Sequence, residues 1–211
     1  MTPIDHLVFA CSDLESGIEN IADHFGVKPG PGGRHPSWGT HNAVLSLGDS
    51  TYFEIIAPDP NACEVFQRPE VFDGTHVGGL TTWAAGLDDL TVRHAHARRQ
   101  GHGLGRVLEG SRVTESGVLL EWSLTDPMVR IEQGLVPFLI DWGRTPHPAR
   151  SSPQGCRLLE FTLSHPDPAF LSGILSGIGI SCAGSLKIES SSRRGLRALI
   201  RTPRGEIEVG S

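Results

Sequence analysis

Two stretches far apart in this 211-residue chain place an ionisable side chain, an aspartate seven positions later and a glutamate forty-eight positions later at the same intervals. One set is His6, Asp13 and Glu54; the other is Glu160, Asp167 and Glu208. Each set reads as a strand, a helix opened near the aspartate, and a closing hairpin whose last strand carries the glutamate. A repeated unit of this kind points to an α+β fold and says which side chains a shared centre could gather.

The local patterns support that reading. Residues 4–10 alternate His6 and Val8 on one face with Leu7 and Phe9 on the other, as a strand with one packed face does. Ser12-Asp13-Leu14-Glu15 reads as a capping box; Leu14, Ile18, Ile21, Ala22 and Phe25 follow at helical spacing, and Gly26 stands where the helix would stop. Residues 41–47 and 52–57 flank a short hairpin connection, and with a strand near Arg34 the first sixty residues spell β-α-β-β-β. The order returns more loosely as a strand over 80–85, a helix over 90–100, and strands near 106, over 118–124 and over 138–142. Aligning Asp89 on Asp13 sets Thr82 where His6 stands, and no carboxylate falls at the Glu54 position.

A segment rich in proline and serine, 145–153, marks a boundary. Beyond it a strand over 158–164, a helix opened by Asp167 and Pro168, and a hairpin over 196–209 restart the pattern. The expected organisation is one domain over 1–143, made of modules at about 1–60 and 80–143, a linker over 144–155, and a third β-α-β-β-β module over 156–211. An odd number of modules leaves one unpaired, so a homo-oligomer is expected, with the exposed strand edges covered by a second copy.

The net charge of −6 argues against a nucleic-acid partner, and Arg193, Arg194 and Arg197 read as a solvated loop. No apolar run reaches the ~18 residues needed to span a bilayer, so no membrane partner is expected. Cys11, Cys63, Cys156 and Cys182 are scattered and no secretory leader precedes the first strand, which suggests a reduced, cytoplasmic setting. No phosphate-cradling glycine loop or dinucleotide fingerprint occurs, and no nucleotide cofactor is expected. His94 and His96 lie two apart on a helix and point about 200° from one another, so one ion cannot readily take both.

Taken alone, His6 is either a ligand or a hydrogen-bonded core histidine. Glu54, set between Tyr52 and Ile56 on a strand flanked by Phe53 and Ile55, needs a cation or a donor if it is buried. Glu160 and Glu208 also suit the solvent face of a sheet. The segment from His35 to Asn42 reads as a loop region in which Trp38 could cap a small apolar substrate while His41 or Asn42 bonds its carbonyl or carboxylate. The bland alternative is a surface turn steadied by a buried indole.

Ile4-Asp-His-Leu-Val-Phe9, His35-Pro-Ser-Trp-Gly-Thr-His-Asn42 and 47–58, with the repeated strand order, resemble the vicinal oxygen chelate superfamily and its glyoxalase-like domains. The resemblance implies modules paired into curled mixed sheets with helices on the outer face and a cup inside. It implies a divalent ion in the cup, held by His6 and Glu54 from the first module; Glu160 and Glu208 would complete an oxygen-rich set suited to Mg²⁺ or Mn²⁺, with Fe²⁺, Ni²⁺ or Zn²⁺ as alternatives. The function so implied is an enzyme of isomerase or lyase type acting on a small carbonyl- or carboxylate-containing metabolite. The ion would polarise an oxygen, Glu208 or Glu160 would move the proton, and Trp38, His41, Asn42 and Tyr52 would hold the substrate. The alternatives are a metal-independent small-molecule binding protein of the resistance or sequestration type and, third, an extradiol-type dioxygenase.

Overall fold

The computed structural model describes residues 4–62, 78–113 and 119–211. The first module runs β1 (Ile4–Ala10), α1 (Leu14–Phe25), β2 (Gly30–His35), β3 (Thr40–Ser46) and β4 (Tyr52–Pro58). Asp13, and not Ser12, caps α1: its carboxylate accepts the Ser16 amide at 2.8 Å, and Gly26 closes the helix at φ 75°. The second module runs β5 (Gly79–Gly86), α2 (Leu90–Arg99), β6 (Val107–Val113), β7 (Leu119–Thr125) and β8 (Phe138–Asp141).

Both modules belong to one curled, mixed sheet of eight strands in the order β2-β3-β4-β1-β5-β8-β7-β6. β1 and β5 run antiparallel down its middle, and each is parallel to the last strand of its own module. The alternation of the strands separates two faces. Leu7, Phe9, Phe53, Ile55, Trp83 and Leu139 enter the main core on the helix side. Val8, Ala84, Leu124, Phe138 and Ile140 form a second apolar cluster on the cup side.

The rest of the chain forms β9 (Arg157–His165), α3 (Pro168–Gly177), β10 (Leu186–Ser190), β11 (Gly195–Thr202) and β12 (Gly205–Gly210). On the helix side, α1 lies against β3 and β4 and α2 against β7 and β8, which leaves the two central strands uncovered between them. The last sheet fills that gap. β11 and β12 pack against β5, Phe161 meets Trp83 edge-on with ring centroids 5.5 Å apart, and Leu163, Ala198 and Ile200 join the same core. The apolar face of the third unit is therefore covered within the chain.

Residues 157–210 keep the element order β-α-β-β-β but not the topology of the first two modules. Their sheet runs β10-β9-β11-β12, with β9 in the interior. In the first module His6 and Glu54 sit on neighbouring strands. Glu160 and Glu208 instead pair with opposite sides of Leu199 and stand two strands apart. Sequence spacing sets which residues are strand and which face they take, but not the edge to which a strand adds.

Candidate functional site

The site starts at an irregularity in β1. Ile4 pairs with Ala85 and His6 with Ala84, so β1 carries one residue more than β5 at this point. A bulge of this kind re-aims side chains, and here it lets the consecutive Asp5 and His6 share one buried cluster. Gly86 clears the space: a Cβ there would lie 2.9 Å from Asp5 Oδ2.

Asp5 is buried and accepts three nitrogen donors. His6 Nδ1 lies 2.7 Å from Oδ1, while Trp142 Nε1 at 2.9 Å and His147 Nε2 at 3.1 Å meet Oδ2. Burial alone would raise the Asp5 pKa, but hydrogen bonds from His147 and His6, aided by their charge, outweigh it and hold the carboxyl below its ordinary value. An ionised carboxylate only accepts, so the proton of the Asp5–His6 hydrogen bond belongs to Nδ1.

The other nitrogen, Nε2, then faces Glu54, with Oε2 3.5 Å away. Glu54 is held from its far side: Asn42 Nδ2 donates to Oε1, and Asn42 Oδ1 in turn accepts the Gly33 amide at 2.6 Å. Gly32 makes this possible, because a Cβ there would fall 2.0 Å from Asn42 Oδ1. The imidazole is stacked on Tyr52 at 4.4 Å and meets the Phe138 ring edge-on at 5.4 Å. A line of polar groups thus runs from Gly33 through Asn42, Glu54, His6 and Asp5 to Trp142 and His147. Every link has an assigned donor except the one between Glu54 and His6.

The structure brings His6, Glu54, Asn42 and Tyr52 together. Trp38 packs against the cup-side cluster and contacts His35 edge-on. His41 alternates with Asn42 along β3 and shares the face of Leu45, on the helix side of the sheet. Glu160 and Glu208 are not brought to the site. Glu160 alternates with the buried Phe161 and pairs with Lys187 and Thr162, and Glu208 pairs with Arg197 at 3.2 Å. Hydrogen bonds to Lys187 and Thr162 hold the Glu160 carboxyl below its ordinary value.

The divalent ion implied by the resemblance does not fit a full protein ligand set. His6 stands two positions before Val8, whose partner is Glu54; in the second module Thr82 stands two positions before Ala84, whose partner is Phe138. Thr82 donates its hydroxyl to the Gly134 carbonyl at 3.3 Å, and Phe138 offers a ring in place of a carboxylate. Among the described residues no group of three or more His, Cys, Asp or Glu is placed to hold a metal ion.

Sequence reasoning did not find Asp5, Trp142 and His147. Period-two alternation sends Asp5 to the face opposite His6, and only the bulge reverses that. Trp142 and His147 lie about 140 residues away, in and beside what reads as a linker.

A curled sheet of two paired modules, with polar side chains on its cup face and helices behind, defines the glyoxalase fold of the vicinal oxygen chelate superfamily. The chain belongs to the family described as a glyoxalase-like domain, whose model matches residues 4–179. That match runs past the linker and through α3. Among solved structures, the chain is similar to a hypothetical protein from Staphylococcus aureus at a TM-score of 0.63 and 13% identity, covering 97% of this chain and 83% of that one. It is also similar to the methylmalonyl-CoA epimerase of Streptomyces coelicolor in complex with 2-nitronate-propionyl-CoA, at a TM-score of 0.47 and 21% identity, covering 69% and 98%. The methylmalonyl-CoA epimerase of Mycobacterium tuberculosis gives 0.47 and 20%, covering 68% and 91%. No curated protein matches the chain.

Proposed function

We propose that this protein is a glyoxalase-like enzyme of isomerase or lyase type that moves a proton on a small metabolite bearing a carbonyl or carboxylate. The observation that supports it is the opposition of Glu54 Oε2 and His6 Nε2 at 3.5 Å, each side chain held from behind by its own hydrogen bond. Isomerisation beside a carbonyl removes a proton from carbon and returns it to a neighbouring atom. The Glu54 carboxylate removes the C–H proton and passes it across the gap to His6 Nε2, which gives it to the carbonyl oxygen; the reverse relay at the adjacent carbon completes the shift. The Asp5 carboxylate keeps the ring oriented as its charge changes, as the carboxylate of a serine-hydrolase triad does. Stacked Tyr52 and edge-on Phe138 fix the ring plane.

His6 and Glu54 are also the two side chains that a divalent ion, Mg²⁺, Mn²⁺, Fe²⁺, Ni²⁺ or Zn²⁺, would engage. A second reading, a small-molecule binding protein without chemistry, is favoured by Phe138 at the position matching Glu54 and by the burial of both His6 and Glu54. Solvent-deuterium incorporation separates the two. A panel of small hydroxy-carbonyl and carboxylate metabolites is incubated with metal-analysed protein in deuterated water and followed by NMR. The enzyme reading predicts carbon-bound deuterium with the native chain and none with Glu54→Gln. Saturable binding without exchange, unchanged in Glu54→Gln, supports the binder.

A further inference from the structure

Trp142 follows the last strand of the second module, and with His147 and Ala149 it folds back over the first. Trp142 contacts Trp122 at 5.3 Å and packs with Val44, Tyr52 and Ala149; His147 meets Tyr52 edge-on at 5.7 Å. The segment is secured along its length. Thr145 Oγ1 accepts the Glu121 amide, Ser152 donates to the Pro148 carbonyl, and Gln154 donates to the carbonyls of Ala149 and Ser152. What reads as a linker is a strap over the end of the cup that holds Tyr52 and His6.

The strap reaches the site through a single carboxylate. His147 Nδ1 accepts the Ala149 amide at 3.2 Å, so the proton that His147 gives Asp5 sits on Nε2. Trp142 Nε1 can only donate. Two donors from the strap therefore hold Oδ2, and Oδ1 is left to His6 alone. We infer that Asp5 is a positioning residue that sets the His6 tautomer, and that the strap residues Trp142 and His147 keep Asp5 in the rotamer that does so. Residues 142–149 are then part of the site's machinery as well as a connection between units. This rests on the proton-transfer reading for its purpose, but its test needs no substrate, so the two fail separately.

The test is long-range ¹H–¹⁵N correlation NMR on histidine-labelled full-length protein, with the His6 signals assigned by comparison with His6→Gln. The native chain should show His6 with a protonated, slowly exchanging Nδ1. Asp5→Asn should convert it to a mixture of tautomers with at least tenfold faster Nδ1–H exchange. Trp142→Phe combined with His147→Gln leaves Asp5 in place and removes only the donors to Oδ2; it should speed that exchange several-fold. An unprotonated Nδ1 in the native protein, or an unchanged Nδ1–H in Asp5→Asn, overturns the positioning role. Native-like exchange in the folded double variant overturns the coupling to the strap. If Asp5→Asn does not fold, the double variant decides.

Discussion

His6 Nε2 and Glu54 Oε2 face one another at 3.5 Å inside the protein, each fixed from its far side, with no donor assigned between them. Two acceptors facing one another gain nothing from the contact unless a proton lies between them. A proton, a substrate group or a cation in that gap would relieve the opposition. The proton transfer proposed above is therefore assigned to this point of the cup.

The glycines beside the site should resist substitution. Gly86→Ala drives a methyl against Asp5 Oδ2, and Gly32→Ala drives one against Asn42 Oδ1 and its carbonyl oxygen at 2.7 Å. Each should cost about 1–3 kcal/mol in urea unfolding. Gly173→Ala, which meets nothing within 4 Å inside α3, should be neutral or stabilising and serves as the control.

Acid should weaken the fold partly through Asp5. Its carboxyl is held below the ordinary value in the folded chain, so its contribution is complete above the unfolded value of about 4 and is lost as pH falls through the folded one. Stability measured by denaturant between about pH 5 and pH 2 should fall less steeply for Asp5→Asn than for the native chain. Equal slopes would show that Asp5 titrates alike in both states.

Glu160 and Glu208 of the last sheet should be dispensable for the proposed chemistry. Glu160→Ala and Glu208→Ala each break a solvent-exposed pair, with Lys187 and Arg197, and should leave the urea unfolding midpoint nearly unchanged. Deuterium exchange by either variant should equal that of the native chain. Glu132→Ala should cost more, about 1–3 kcal/mol, because buried His165 loses its partner at 3.1 Å.

Thiol chemistry should report the core. Burial, helped by the Asp13 charge, pushes Cys11 up to about 11, and burial pushes Cys156 up to about 11. At pH 8 neither should take up iodoacetamide in the folded chain, while both should react in urea, as read by peptide mass mapping. Cys63 lies outside the described residues.

Much of this architecture is legible in the residues. Alternation placed His6 and Val8 opposite Leu7 and Phe9, and the matched intervals put His6 on a first strand and Glu54 on a last one, which the fold sets side by side. The matched spacing from Glu160 to Glu208 describes element order but not pairing, since β9 took β10 and β11 as neighbours and pushed β12 outward. β10 itself, Leu186–Ser190, alternates Leu186 and Ile188 with Lys187 and Glu189 but is only five residues long, too short for the alternation to stand out. Asp5 was hidden by a one-residue bulge, and Trp142 and His147 by a proline-rich segment that reads as a spacer but folds back on the site. Pairing partners and local register shifts depend on contacts distant in sequence, which periodicity does not encode.

The measurement that bears most directly on the opposed pair is the stability of Glu54→Gln. A glutamine there keeps an oxygen for the Asn42 amide and turns an N–H toward His6 Nε2, replacing opposed acceptors with a hydrogen bond. The account predicts a variant about 0.5–2 kcal/mol more stable in urea unfolding, with carbon–deuterium exchange abolished. A variant less stable than the native chain by 1 kcal/mol or more would contradict it, because the native Glu54–His6 contact would then already be a satisfied ion pair.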